Sequence, residues 1–310
     1  MSIIFLDSPV IKYYGYKIRY HNTKSYLMRN NLILLPALLL FTYFAAGQTT
    51  KLTRFTDSPG MEYHPQWKPD GSGILYTAGK GMHPVVEFKD IKDGRIIEVP
   101  TLLTGDKHIS WSGDGKMFVY DTREDSPPHI VMGSINKNDH TAITGKPCAH
   151  PNWAKSGNKI AYIGTDESFS DHIFIYDIDT KTSIRLTKSG GNKMHPNWSK
   201  DGSLLLFTSD ITGDYEIWMI DLHGNEKQIT KSEGIDDWGD WSWDGSKIAF
   251  ASERAGNRDI WIKELETGKL YQLTTDTGTD NHPNWSPDDK HIAFASNRSG
   301  SLDIWIFDLQ

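Results

Sequence analysis

Apolar and polar residues along this chain follow a pattern that recurs every 42 to 45 residues. Each unit contains a tryptophan followed by turn residues such as Asp-Gly, then an apolar run, an aromatic run opened by an acidic residue, and a Leu-Thr or Ile-Thr pair. Short apolar runs between turn residues are typical of β-strands, and Asp-Gly favours a tight hairpin turn. Each unit is therefore predicted to form four antiparallel strands.

Six tryptophans in similar contexts define the repeat: Trp67, Trp111, Trp153, Trp198, Trp241 and Trp285. Four strands in a unit of this length are typical of one propeller blade. Helix-periodic segments are absent from the repeats. The sequence therefore predicts an all-β fold, a six-bladed β-propeller with four antiparallel strands per blade, in which the six tryptophans fill the gaps between blades.

The two ends of the repeat region predict how the ring closes. The last unit stops at Gln310, after its third strand, whereas Leu52–Thr56 has the pattern of a fourth strand. Thr56 precedes Trp67 by the same 11 residues that separate Thr187 from Trp198. We therefore expect the N-terminal strand to complete the last blade, which removes an open sheet edge.

An apolar run of 13 residues, Leu32–Phe44, precedes the repeats. A membrane-spanning helix needs about 20 apolar residues, so the run fits the core of a signal peptide, and the small residues Ala45–Gly47 fit a cleavage site. Met28 is a better initiator methionine than Met1. We predict that 1–47 comprises residues before the true translation start, an over-called start, followed by a signal peptide. We predict that 48–310 is a single propeller, periplasmic or secreted, without a transmembrane span. A non-cleaved anchor is the alternative.

Two stretches, HPNWSKDGSLLLFTSDITGDYEIWMIDL and HPNWSPDDKHIAFASNRSGSLDIWIFDL, resemble the WD40-like repeats of the TolB propeller family. The resemblance covers essentially all of 48–310 and is strongest in the last three repeats. It implies a periplasmic propeller that binds protein. TolB itself is a partner of a peptidoglycan-associated lipoprotein and has a separate α/β domain, for which 48–310 leaves no room. Similar repeats also occur in oligogalacturonate lyases, which use a histidine-bound metal.

Composition excludes several functions. A net charge of −7 argues against nucleic acid and against an anionic membrane surface, because both attract basic proteins. The single cysteine, Cys148, excludes an internal disulfide and a zinc site with several cysteines. The chain has no GxSxG, HExxH, GxxxxGK or GxGxxG motif, so the common hydrolase and nucleotide-binding sites are not indicated.

One group of residues remains as a candidate site. Histidine occupies the position three residues before the repeat tryptophan in every unit except the fifth, which has Trp238. Acidic residues recur two positions earlier. Positions two apart in a strand point to the same side, so we expect both sets at one mouth of the central channel. The predicted ligand-binding residues are Glu62, His64, Asp106, His108, His150, His195, Asp236, Asp280 and His282.

Such a cluster could bind a divalent metal, capture a cationic peptide end, or supply an acid or base. The candidate metal ligands are His64, His150, His195 and His282, although no cofactor is required for binding. Acidic neighbours would raise the histidine pKa values. Alternatively, each histidine bonds to the backbone of the next blade and has only a structural role.

The predicted function is that of an exported, monomeric, non-enzymatic binding module of the TolB type. Its channel mouth would hold an envelope protein, a peptide or a glycan. The rival hypothesis is an enzyme, a metal-assisted polysaccharide lyase or hydrolase that uses the histidines.

Overall fold

A computed structural model describes residues 52–80, 83–100, 108–122, 128–135, 137, 139–144, 147–166 and 170–309. All of them belong to one compact unit, Gly47–Gln310. None of the described residues forms a helix long and apolar enough to cross a lipid bilayer. The predicted start, signal peptide and cleavage site, within 1–47, lie outside the described residues and stay predictions.

The described strands form six antiparallel four-stranded sheets. The first strand of the chain is β1 (Leu52–Arg54). Blades one to three contain β2 (Glu62–Trp67), β3 (Gly73–Lys80), β4 (His83–Asp90) and β5 (Ile96–Val99), then β6 (Ile109–Trp111), β7 (Met117–Asp121), β8 (Ile130–Ser134) and β9 (Thr141–Ala142), then β10 (Cys148–Trp153), β11 (Lys159–Thr165), β12 (Asp171–Asp177) and β13 (Thr182–Arg185). Blades four to six contain β14 (Lys193–Trp198), β15 (Leu204–Ser209), β16 (Glu216–Asp221) and β17 (Glu226–Gln228), then β18 (Asp236–Trp241), β19 (Lys247–Ser252), β20 (Asp259–Glu264) and β21 (Leu270–Gln272), then β22 (Asp280–Trp285), β23 (His291–Ser296) and β24 (Asp303–Asp308). The predicted six-bladed β-propeller is confirmed.

Each repeat tryptophan packs between its own blade and the preceding one. Trp198, which is fully buried, shares a cluster with Ile173 of the third blade and Phe207 of the fourth. Equivalent clusters join every other pair of neighbouring blades, including the sixth and the first. The tryptophans therefore fill the gaps between blades, as the sequence predicts.

The turn after the repeat tryptophan is encoded by Asp-Gly. In the fourth blade the carboxylate of Asp201 accepts the backbone N–H of Ser203 at 3.0 Å, and Gly202 takes a φ of 72°. Glycine adopts this left-handed conformation without a steric penalty. In the sixth blade Asp289 takes the place of the glycine at a φ of 59°, and its carboxylate accepts the N–H of Asp244 in the preceding turn at 2.9 Å.

The N-terminal strand closes the ring as predicted. β1 pairs antiparallel with β24, so that Leu52 lies opposite Phe307 and Arg54 opposite Trp305. The strand ends before Thr56, whose hydroxyl oxygen accepts the N–H of Ile304 at 2.8 Å. A similar bond recurs at the Leu-Thr and Ile-Thr pairs, which therefore lie just past the fourth strands and do not end them.

Candidate functional site

The innermost strands are bulged at the histidine position. The residue three before the repeat tryptophan has a φ between 50° and 58° at His64, His150, His195, Trp238 and His282. The pairing register shifts across the same position in each of these strands. A left-handed residue that is not glycine costs about 1–2 kcal/mol, and bulges with this geometry re-aim side chains.

The bulge corrects the expectation that the acidic residues point with the histidines. Glu62, Asp236 and Asp280 are fully buried, and none lines the channel cavity. Asp236 is paired with Arg254 at 2.5 Å and Asp280 with Arg298 at 2.7 Å. The alternation of an extended strand fails across a bulge, so these carboxylates lie within the blades. Asp106 lies outside the described residues.

Five imidazoles and one indole form a closed ring around the channel axis. We call these six side chains the channel ring: His64, His108, His150, His195, Trp238 and His282. Centroids of neighbouring rings, in that order and back to the first, are 4.6, 4.1, 4.5, 3.4, 4.2 and 4.2 Å apart. Trp238 also lies 5.0 Å from His64 and 5.6 Å from His108, so the indole reaches across the channel. The structure thus brings all five predicted histidines together.

A second set of polar residues lies next to the channel ring. We call it the polar layer, and it comprises the residue before each repeat tryptophan: Gln66, Ser110, Asn152, Asn197, Asp240 and Asn284. Four of them accept the N–H of the tryptophan in the next blade: Asn284, Ser110, Asn152 and Asp240, at 2.7 to 3.0 Å. The repeated Asn-Trp pair was a signal for this layer that the sequence analysis did not use.

The channel ring lines one cavity together with four residues of the polar layer, Gln66, Asn152, Asn197 and Asp240. The cavity encloses about 510 Å³ together with the solvent at its opening. Two residues that line it each have one buried polar atom, Oδ1 of Asn197 and Nδ1 of His282, with no hydrogen-bond partner among the described residues. Buried polar atoms are nearly always paired in folded proteins, so these two residues have unused capacity for hydrogen bonds.

Two buried carboxylates that the sequence analysis missed orient part of the channel ring. Asp121, at the end of β7, lies 2.9 Å from Nδ1 of His108 and accepts the backbone N–H groups of His108 and His150 at 2.8 and 3.0 Å. Asp237 lies 2.7 Å from Nδ1 of His195. Asp121 lies ten residues after a repeat tryptophan and Asp237 four residues before one, and the other five repeats have no acidic residue at the equivalent position. These departures from the repeat are the sequence signal for both carboxylates.

Asp237 stays ionised at the centre of a hydrogen-bond network. Burial alone would raise its pKa, but the interaction and hydrogen bond with His195, the positive charge of Arg258 and the hydroxyl of Thr208 outweigh it, so that the pKa falls below its usual range. The Thr208 hydroxyl and the N–H of Trp238 each donate to this carboxylate at 2.7 Å. The network holds His195 and Trp238 against each other.

The expected upward shift of the histidine pKa values is wrong for His282. Burial lowers the pKa of His282 well below 6.5, and the positive charges of His64 and Arg258 lower it further. The alternative role, in which each histidine forms a hydrogen bond to the backbone of the next blade, is seen at His150. Its Nδ1 accepts the backbone N–H of His195 at 3.4 Å.

Three members of the channel ring have the donor atoms for a metal. One ring nitrogen from each of His108, His150 and His195 lies within 4.8 Å of the other two. Two of these histidines, His150 and His195, belong to the predicted metal set. His108 joins them in place of His64 and His282.

Comparison with known proteins places these features in a family. The TolB beta propeller domain matches residues 110–234 and 225–310. An uncharacterized protein, Atu1656, of Agrobacterium fabrum is 26% identical over 187 residues, a match that spans 57% of this chain and 61% of that relative.

Two solved structures have the same fold. One, assigned as a TolB from Agrobacterium tumefaciens, superposes with a TM-score of 0.65 at 21% identity and covers 83% of this chain and 93% of its own. The other, an oligogalacturonate lyase from Vibrio parahaemolyticus, has a TM-score of 0.59 at 14% identity and covers 86% of this chain and 96% of its own. Similarity at these identities extends to the fold alone.

Proposed function

Because the chain belongs to the TolB β-propeller family, we propose that it is an exported, non-enzymatic module that holds a short peptide of a cell-envelope protein at the mouth of its channel. The family accounts for the fold and for a role in binding. The peptide ligand, the periplasmic or secreted location and the lack of catalysis are the parts that we add. The predicted signal peptide supports the location, and the net charge of −7 argues against nucleic acid as the partner.

The observation that carries the proposal is the pair of unpartnered polar atoms in residues that line the cavity. Oδ1 of Asn197 can only accept hydrogen bonds, and Nδ1 of His282 can accept in the neutral tautomer. Both therefore fit a ligand that brings N–H donors, as an extended peptide backbone does.

The channel ring supports an apolar or aromatic residue in that peptide. Trp238 lines the cavity, and three imidazoles pack around its indole at centroid distances of 3.4 to 5.0 Å, which makes this part of the lining aromatic. Aromatic side chains contribute much of the affinity at many binding sites. A peptide with an aromatic residue next to free backbone N–H groups is the ligand that these contacts fit best.

The test begins with selection of linear peptides from a random display library on the wild-type chain. The best peptide is then titrated calorimetrically against wild type, Trp238→Ala and Trp243→Ala. Trp243 is a matched control, because it is a part-buried tryptophan that does not line the cavity. We expect Trp238→Ala to weaken binding at least tenfold and Trp243→Ala to leave it unchanged. Equal binding by all three proteins, or no selected peptide, contradicts the proposal.

The rival hypothesis is tested on the same protein. Acidic and neutral oligosaccharides are incubated with the wild-type chain, with and without a chelator. Turnover that the chelator abolishes would support a metal-assisted lyase or hydrolase and overturn the non-enzymatic proposal. Binding of a glycan without turnover would keep the channel site and replace the peptide, because sugar hydroxyls can also donate to Asn197 and His282.

A further inference from the structure

The close group of His108, His150 and His195 comes from three consecutive blades, the second to the fourth. The ring centroid of His150 lies 4.1 Å from that of His108 and 4.5 Å from that of His195. One nitrogen of each ring lies within 4.8 Å of the other two. His150 and His195 lie in the innermost strands of their blades, and His108 immediately precedes the innermost strand of its blade, so the spacing follows largely from the packing of the blades.

The two outer histidines of this group are oriented by buried carboxylates. Nδ1 of His108 lies 2.9 Å from Asp121, and Nδ1 of His195 lies 2.7 Å from Asp237. Both carboxylates are essentially fully buried. When Nδ1 of a histidine donates to a carboxylate, Nε2 keeps its lone pair, and this pairing is the usual support of a metal-binding histidine. In this tautomer the lone pair that can bind a metal is on Nε2 of His108 and of His195.

The middle histidine is held by the same network. The backbone N–H of His150 donates to Asp121 at 3.0 Å, so one carboxylate fixes both His108 and His150. Nδ1 of His150 accepts the N–H of His195 at 3.4 Å, a long contact that a stronger ligand can replace. His150 also has a φ of 54°, which turns its side chain out of the alternation of the strand.

The geometry points to a divalent transition-metal site at His108, His150 and His195, with Asp121 and Asp237 as the groups that orient the outer two ligands. Three imidazoles are a common ligand set for Zn²⁺ and leave one coordination position open. Imidazole favours Zn²⁺ and similar ions over Ca²⁺ and Mg²⁺, which prefer oxygen ligands. His64 and His282 belong to the channel ring but not to this site. The inference does not depend on the peptide proposal, because the metal alone is the probe.

The donor spacing is compatible with a metal after a small closure. Nitrogen ligands about 2.1 Å from a tetrahedral Zn²⁺ are about 3.4 Å apart. The three nitrogens lie within 4.8 Å of one another, so the rings need to tilt inward by about 1.4 Å at most.

The experiment titrates the untagged chain with Zn²⁺ by calorimetry and with Co²⁺ by visible absorption, because a histidine tag would bind both ions. We expect one ion per chain, intense Co²⁺ bands typical of a four-coordinate site, and no response to Ca²⁺. His150→Ala should abolish binding. Asp121→Asn and Asp237→Asn keep the side-chain shape and should weaken binding 10- to 100-fold, since loss of such an orienting partner has this effect.

His223→Ala is the matched control, because it removes an exposed imidazole that does not line the cavity. It should bind both ions with wild-type affinity, and melting curves of all variants show which of them fold. Absence of Zn²⁺ and Co²⁺ binding by the wild-type chain overturns the inference. So does an equal loss of binding in His223→Ala and Asp121→Asn, since binding would then not depend on the group of three.

Discussion

The indole of Trp238 stacks on the imidazole of His195, with 3.4 Å between the ring centroids and 21° between the planes. Asp237 joins the two residues, because it accepts the backbone N–H of Trp238 and pairs with Nδ1 of His195. The one departure from histidine in the channel ring is thus the place where two neighbouring rings lie nearest to each other. A larger ring at this position closes the gap across the channel.

Removal of this stack should lower stability. We expect Trp238→Ala to reduce the free energy of unfolding by at least about 1 kcal/mol, since a stacked aromatic pair contributes about 0.5–1.5 kcal/mol beyond its buried area. Trp238→His restores the repeat residue and should retain most of the stability. Urea denaturation of the two variants and wild type measures the difference. A Trp238→Ala variant as stable as wild type would show that the stack contributes nothing.

Ring closure should depend on Thr56. Thr56→Val keeps the volume of the side chain but removes the acceptor for the N–H of Ile304 and the donor to Glu62. An unpaired buried N–H costs about 1–3 kcal/mol, so the free energy of unfolding should fall by about that amount. Thr53→Val, an exposed change on the same strand, is the control and should stay within about 0.5 kcal/mol of wild type. Equal stability of the two variants would contradict this closure.

Glu62 should make stability depend on pH. Burial raises the pKa of Glu62 from 4.5 to about 6, so the folded protein favours the protonated form and loses stability as pH rises through about 6. Glu62→Gln resembles the protonated form at every pH. The stability of the variant relative to wild type should therefore rise by about 1–2 kcal/mol between pH 4.5 and pH 7.5. Urea denaturation at both pH values tests this, and a constant difference would refute it.

His282 should stay neutral in mildly acidic solution. Its pKa lies well below 6.5, so the folded protein resists protonation at this site. Its contribution to stability is present above pH 6.5 and is lost as the pH falls below that value. Long-range ¹H–¹⁵N NMR spectra should show a neutral tautomer of His282 at pH 6. A charged His282 at that pH would contradict the prediction, because it would show that water reaches the side chain.

The repeats predict the fold well because packing is encoded locally. Trp67 and Trp198 recur at the blade spacing, and a large aromatic residue at this position is buried between two neighbouring blades. The turn at Asp201 and Gly202 and the closure by Thr56 are equally local. Each needs only a few neighbouring residues in the sequence to be recognised.

The site is harder to predict because it depends on a local backbone change and on distant contacts. The expectation for Glu62 and Asp280 failed at the bulge, where a histidine takes a positive φ that hydrophobic alternation does not reveal. Asp121 reaches His150 across 29 residues, from another strand of another blade. Such a contact exists only once the blades are assembled, so the pattern of one strand cannot indicate it.

The central claim is that the channel ring contacts the ligand. The most direct test is an NMR titration that follows the imidazole signals of the chain while the selected peptide is added. The account predicts that signals of channel-ring histidines shift with the peptide concentration, while those of His223 and His291, which do not line the cavity, stay in place. Saturable binding that leaves every channel-ring signal unchanged would contradict the account and move the functional surface elsewhere on the propeller.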